Sequence, residues 1–338
     1  MSLDIAYRLA KPLLRTLDAE VAHALTLSAL KTAGKWLGTG TPVDNPVQIA
    51  GLSFPNRVGL AAGFDKNGEA IVGLSRLGFG FIEIGAVTPR PQAGNSKPRL
   101  FRLAHEHAVI NSMGFNNDGV EAIRDRLTAA PTLAPTLLGA NIGMNRDTPV
   151  EQAYDDFVRC MMELRNLVDF LTVNISSPNT PQVRALQSHQ GLAETLRSLT
   201  TELKRTGDAN QATPPIFVKL SPDTDPVLLR DLAIRIKESG CAGLIATNTT
   251  TQRFGLSGRI AKQSGGLSGK PLLRLSLHCV EICRDAVGSD YPVVGVGGIF
   301  SAQDAIDMRR AGADLVQVYT GLVFRGPGLI HELASAMT

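Results

Sequence analysis

The chain has 338 residues, 43% of them hydrophobic and 19% charged, with a net charge of +3. That apolar content supports a large core and excludes a disordered or fibrous chain. So small a net charge gives no ground for a nucleic-acid partner, and four cysteines exclude a disulfide scaffold.

Residues 3–17 project onto a helical wheel with Asp4, Arg8, Lys11 and Arg15 on one narrow face. Leu3, Ile5, Ala6, Leu9, Leu13, Leu14 and Leu17 cover the rest, and Pro12 is a candidate kink. Asp18 reads as the N-cap of a second helix from Ala19 to about Lys35, closed by Gly38, Gly40 and Pro42. A wide apolar face with a thin cationic stripe suits a helix lying in a membrane interface; a helix docked on the protein's own core or a dimer contact is the plainer alternative. No run of 18 apolar residues and no secretory leader pattern is visible, so a spanning segment is not expected. The breakers place a boundary near residue 40, between a helical unit (1–40) and the remainder (41–338).

From residue 55 onward one pattern repeats. Apolar, β-rich runs fall at Arg57–Ala61, Phe81–Gly85, Leu137–Ile142, Phe170–Ile175, Ile216–Leu220, Gly243–Thr247, Val293–Val296 and Leu315–Tyr319. Helical periodicity follows each, near 67–77, 118–128, 150–168, 191–205, 226–239, 271–286, 301–311 and 328–336. Strands that are apolar throughout, rather than alternating, are covered on both faces. Eight β-then-α units predict a (β/α)8 barrel. A doubly wound open sheet is the alternative, but Gly295-Val-Gly297-Gly298-Ile-Phe300 lacks the last glycine of the dinucleotide fingerprint. Two connections are long, Ala86–Asn117 and Thr249–Lys270, and long connections in compact domains are usually functional.

Residues at or just past the predicted strands converge on one mouth of such a barrel. They are Lys66, Asn111, Asn141, Asn174, Ser177, Lys219, Asn248, Gly297-Gly298 and Tyr319-Thr320. Asparagine offers a donor and an acceptor, which matches the edge of an imide-like ring. Lysine stabilises an anion or developing negative charge. The glycines of Gly265-Gly266-Leu-Ser-Gly269 and Gly295-Val-Gly297-Gly298 suit backbone contact with a phosphate, or plain turns. The set points to a planar, partly anionic ligand such as a flavin or a pyrimidine, and to a phosphate-bearing cofactor such as FMN. Cys160, Cys241, Cys279 and Cys283 form no CxxC pair and read as reduced thiols. His105 and His107 alternate as on a strand, with no third metal ligand near them.

At these residues the sequence resembles the class 2, quinone-linked dihydroorotate dehydrogenases of pyrimidine synthesis. The matching segments are Ala61-Ala-Gly-Phe-Asp-Lys66-Asn-Gly, Thr88-Pro-Arg-Pro-Gln-Ala-Gly-Asn95, Asn111-Ser-Met-Gly-Phe115-Asn-Asn, Asn141-Ile-Gly, Asn174-Ile-Ser-Ser177-Pro-Asn179-Thr-Pro, Val218-Lys219-Leu-Ser-Pro-Asp, Thr247-Asn248-Thr-Thr, Gly265-Gly-Leu-Ser-Gly269, Val296-Gly-Gly298-Ile and Tyr319-Thr-Gly. Leu17-Asp-Ala-Glu-Val-Ala-His23 is similar to the family's extra helical domain, which contacts the membrane and admits quinone.

The resemblance implies an FMN enzyme that oxidises dihydroorotate to orotate, with Ser177 as the base. It implies FMN contacts from Ala62, Gly63, Lys66, Ala86, Asn141, Asn174, Lys219, Thr247, Gly269, Gly298, Tyr319 and Thr320. Lys66 and the backbone from Asn111 through Ser112, Met113 and Gly114 to Phe115 would hold the orotate carboxylate. Asn111, Asn174, Asn179, Asn248 and Thr249 would bond its ring, and His23, Arg102 and Tyr319 would line a quinone channel. Class 1 relatives carry cysteine where this chain has Ser177, and lack the amino-terminal helices. Ala86 and Gln182 depart from residues common in the family, threonine and glycine respectively. A monomer held peripherally on the cytoplasmic face of a bacterial inner membrane is the implied setting. A dihydrouridine synthase, another FMN barrel, would carry a catalytic cysteine and favour a basic face.

Overall fold

The computed structural model describes residues 3–34, 43–176, 191–207 and 213–337. The expected boundary at residue 40 lies outside them. Two helices come first, α1 (Leu3–Thr16) and α2 (Ala19–Ala33), and α1 continues through Pro12. Asp18 caps α2 as expected, its carboxylate accepting from the backbone N–H of Glu20 at 2.9 Å and Val21 at 3.1 Å. The helix packs against the barrel so closely that a Cβ on Gly73 would lie 2.3 Å from the Leu30 carbonyl oxygen.

A short antiparallel hairpin follows, β1 (Val47–Ile49) and β2 (Leu52–Phe54). Then come β3 (Val58–Leu60), β4 (Phe81–Val87), β5 (Leu100–Leu103), β6 (Ala108–Asn111), β7 (Leu137–Ile142), β8 (Phe170–Asn174), β9 (Ile216–Leu220), β10 (Gly243–Ala246), β11 (Gly266–Gly269), β12 (Val293–Val296) and β13 (Leu315–Val318). Strands β3, β4, β7, β8, β9, β10, β12 and β13 close into a parallel barrel, so every expected strand is present and the sheet is not open. The helix expected at 67–77 shrinks to Ile71–Ser75. Asp65 explains this: its side chain accepts from the N–H groups of Glu69 and Ala70, which holds the preceding turn out of helical conformation. A further short helix, Thr320–Arg325, was not anticipated.

The two long connections are not irregular loops. β5 and β6 form a hairpin from the first, and β11 from the second pairs with β6, giving a three-stranded antiparallel sheet. His105, Glu106 and His107 therefore correct the expectation of strand-like alternation: they form the hairpin turn, and His107 has a φ of 49°. All four cysteines are buried and unpaired, with Cys279 and Cys283 on the core side of helix Leu273–Val287.

Strand residues alternate between two cores. Outward ones, such as Ile82, Leu171 and Val218, pack under the helices. Inward ones fill the floor of the barrel, where Phe81, Phe170 and Phe217 stack edge to face and the β1–β2 hairpin closes the end with Ile49 and Phe54. The Phe81 ring lies 5.2 Å from Phe54 and 6.0 Å from Phe170 between centroids. Replacing Phe81 by alanine should therefore cost about 3–5 kcal/mol of stability, read as a lower urea midpoint at unchanged slope. A loss below 1 kcal/mol would show that the floor repacks freely.

Candidate functional site

Above that floor each barrel strand contributes to one cavity at the carboxyl ends, through Ala61, Ala86, Asn141, Asn174, Lys219, Thr247, Val296 and Gln317. The expected cofactor residues Ala62, Gly63, Lys66, Ala86, Asn141, Asn174, Lys219, Thr247, Gly269, Gly298, Tyr319 and Thr320 all line it. So do Asn111, Met113, Gly114, Phe115, Asn248 and Thr249 from the substrate set. Ser112 stands aside: its N–H donates to Arg99 O at 2.8 Å, and its carbonyl accepts from Asn95 Nδ2 at 2.7 Å. Ser177, Asn179 and Gln182 lie outside the described residues.

Among the described residues the lining contains no aspartate or glutamate, but it contains the buried lysines Lys66 and Lys219. Lys66 follows β3 and donates from Nζ to the Gly63 carbonyl at 2.7 Å. Burial lowers its pKa to about 8; Arg99 pushes the same way, and Glu20 and Asp65 oppose. Lys219, on β9, is also lowered by burial, and Glu83 pulls it back up. Thr320 Oγ1 donates to, or accepts from, Ser268 Oγ at 2.8 Å, joining the last barrel loop to β11. At Gly298, φ is 79° and a Cβ would lie 2.4 Å from the Leu273 backbone, so the loop after β12 can come this close only as glycine.

Two polar residues of the barrel interior escaped the sequence reading. Glu83 on β4 and Gln317 on β13 are buried, and Gln317 Nε2 donates to Glu83 Oε2. Their signal was there: each is a lone polar residue inside an otherwise apolar strand, in Phe-Ile-Glu-Ile and Leu-Val-Gln-Val.

A second cavity, of about 380 Å³, lies under α1 and α2 and is mostly apolar. Tyr7 and Leu14 of α1, Ala22 and His23 of α2, Arg102 and Val323 line it. His23, Leu100, Val109 and Tyr319 belong to both cavities and form the wall between them. The His23 ring meets Phe64 edge to face at 5.1 Å. Burial, then the charge of Lys66, push its pKa down to about 3, so it is neutral at physiological pH. Arg102 Nη1 donates to the carbonyl of Arg15 at 3.1 Å, at the end of α1. The expected channel residues His23, Arg102 and Tyr319 are thus together in one place.

This donor set fits FMN: buried cations, amides and a hydroxyl for a planar, anionic, imide-bearing group, with no acid to repel it. The family model for dihydroorotate dehydrogenase matches residues 46–338. A dihydroorotate dehydrogenase (quinone) of Paracidovorax citrulli is 46% identical over 351 aligned residues, covering 98% of this chain and 97% of its own. One from Aromatoleum aromaticum is 46% identical over 334, covering 98% and 95%. The ligand-free DHODH crystal structure from Eimeria tenella superposes with a TM-score of 0.87 at 37% identity, covering 94% of each chain. Matched over nearly its full length in both sequence and structure, the chain belongs to the dihydroorotate dehydrogenase family, in its quinone-dependent class.

Proposed function

We propose that the polar cavity binds FMN beside dihydroorotate, and that the apolar cavity brings a membrane quinone to the other side of the His23–Tyr319 wall. The observation that carries this reading is the cavity to which all eight barrel strands contribute, free of acids among the described residues, abutting an apolar one under α1 and α2. When bound, FMN supplies the acceptor for the substrate's hydride.

The chain's own residues have the remaining tasks. Lys66 and the backbone of Asn111–Phe115 hold the substrate carboxylate; Asn111, Asn174, Asn179, Asn248 and Thr249 fix the ring in register. Ser177 removes the proton from the ring carbon alpha to the carbonyl. Serine is a weak base, so the acidity of that carbon, and a water relay, carry part of the step. Lys219 places positive charge where negative charge develops. Gly269, Gly298, Tyr319 and Thr320 hold the phosphate end. Ala86 is buried at the cavity, where its backbone would remain available to the flavin although the threonine side chain common in the family is missing. On this reading the protein acts as a monomer at the cytoplasmic face of a bacterial membrane. Leu9 and Leu13 of α1 support it: they are 70% and 67% exposed beside Arg8, Lys11 and Arg15, the pattern of an interfacial helix. Among the described residues no helix is long and apolar enough to cross a membrane.

Ser177→Ala should retain FMN and orotate binding while flavin reduction by dihydroorotate slows by about 10²–10⁴-fold, the usual weight of a catalytic base. Reduction at the wild-type rate in stopped flow would remove Ser177 from that role.

Lys66 carries its proton below pH about 8 and loses it above. Carboxylate binding uses the charged form, and His23 stays neutral across this range. Orotate affinity should therefore be level below that pH and fall about tenfold per unit above it. The break should vanish in Lys66→Met; a level wild-type profile to pH 10 would place the carboxylate elsewhere (~10 being well above that pKa).

Replacing Leu9 and Leu13 together by glutamate should lower retention on anionic vesicles. Turnover with a long-chain, vesicle-borne quinone should fall with it, while flavin reduction by dihydroorotate is unchanged. Undiminished retention would remove α1 from the membrane contact.

A further inference from the structure

Between the aromatic floor and the cavity, the barrel interior holds an acid, Glu83 of β4. Glu83 is fully buried and does not line the cavity. One of its oxygens accepts from Asn141 Nδ2 at 2.7 Å, and the other from Gln317 Nε2. Asn141 Oδ1 in turn accepts from Asn174 Nδ2 at 2.9 Å. Asn174 Oδ1 accepts from the N–H and the hydroxyl of Ser176, both at 3.1 Å. Ser176 Oγ accepts from Asn248 Nδ2 at 3.1 Å, and Asn248 Oδ1 accepts from the Thr249 N–H at 2.8 Å.

Each donor in this chain points toward Glu83. An amide can be turned end for end, because it has an acceptor and a donor of similar shape. A carboxylate accepts at both oxygens, so it dictates the direction of everything bonded to it. Asn141 must give it NH2, which leaves Oδ1 for Asn174 Nδ2, while Asn174 and Asn248 are held in the same direction by the backbone N–H groups of Ser176 and Thr249. Glu83 is also the opposite charge that acts on Lys219, itself buried. Unpaired charge in such surroundings is costly.

We propose that Glu83 is a positioning residue: its carboxylate holds the Asn141 amide in the one direction that bonds Asn174, and so sets how both asparagines meet the ligand. The proposal rests on the reading of the cavity as the FMN and dihydroorotate site. Neither ligand needs to touch Glu83 for it to act.

Glu83→Gln separates shape from charge. Gln317 Oε1 is buried without a hydrogen bond, so Gln317 can turn over to meet a side-chain NH2 at position 83. The variant is therefore expected to fold. An amide at 83 then lets Asn141 lie in either direction, one of which sets its NH2 against that of Asn174, whose own direction the Ser176 N–H fixes. Glu83→Asp keeps the charge near Lys219 but draws it back from Asn141 by one methylene.

The experiment measures FMN retention, the orotate dissociation constant from the shift of the flavin band, and the flavin midpoint potential. Both variants should retain FMN. In Glu83→Gln the orotate dissociation constant should rise by about tenfold or more, the scale of one lost charge-assisted hydrogen bond. Its potential should rise, because loss of a buried negative charge favours the more negative reduced flavin, by about 30 mV for each tenfold gain of that preference. Glu83→Asp should show the weakened orotate binding with the wild-type potential. A wild-type orotate constant in both variants overturns the ordering role. A potential equal to wild type in Glu83→Gln, or raised equally in both, would mean that no charge distinguishes the two side chains and overturns the carboxylate as the orienting group. If Glu83→Gln does not fold, Glu83→Asp decides alone: weakened orotate binding at wild-type potential supports the proposal, and wild-type binding overturns it. Wild-type protein that binds neither FMN nor orotate defeats the functional reading instead, before any variant is compared.

Discussion

A closed barrel of eight strands has an interior that must be filled, and here only its lower part is filled with hydrocarbon. The interlocked phenylalanines and the β1–β2 hairpin seal one end. The next interior layer holds Glu83, Lys219, Gln317 and Thr172, all buried, and the layer above it holds Asn141 and Asn174. Glu83 and Gln317 are tolerable there because they bond to each other, and Lys219 because it faces the cavity; the Thr172 hydroxyl is buried with no hydrogen-bond partner. Hydrocarbon at these positions would have favoured a more stable barrel, but it would leave nothing to hold a polar ring. The floor gives the polar layer a rigid base, and the polar layer fixes the chemistry of the mouth.

The same economy joins the helices to the substrate side. Arg99, almost fully buried, pairs with Glu20 of α2 at 2.8 Å. Its other nitrogen donates to the carbonyls of Ala93 at 2.6 Å and Asn95 at 2.9 Å. Asn95 then bonds the carbonyl of Ser112, within the segment assigned to the substrate carboxylate. One guanidinium thus spans from the helical unit to that segment. Its charge also acts on Lys66, so the position of α2 and the protonation of Lys66 are physically linked.

Much of this was legible in the sequence because parallel barrel strands are apolar runs with nothing else to be. Asp18 announced the start of α2, and the lysines and asparagines stood where strands end. What was not legible has a common cause. β5, β6 and β11 contain four residues each, and β11 pairs with β6 across some 155 positions, so no local period marks them. His105 and His107 alternate like a strand, yet the chain reverses there, and the decisive φ at His107 leaves no trace in composition. The helix near residue 70 was shortened by Asp65, a side chain competing with the backbone. Glu83 was passed over because the reading looked past strand ends for polar residues, not within strands.

The placement of the thiols bears on the choice of base. A cysteine thiolate would remove the substrate proton more readily than serine. None of the four cysteines lines either cavity. Burial pushes the thiol of Cys241 up to about 11 and that of Cys279 up to about 12, and raises Cys160 and Cys283 as well. None can serve as a thiolate near neutral pH, and none can reach a ligand in the mouth. Cys160 instead faces the carbonyl of Val87, and Cys279 that of Pro222, as packing residues do. With its cysteines in the outer core the chain offers no thiolate for proton removal, and the serine proposed as base would succeed only where the surroundings lower the demand on it. Positive charge from Lys66 and Lys219, and asparagines held in one order, are such surroundings. The weakness of serine as a base and the care taken over the polar layer are then two sides of one constraint.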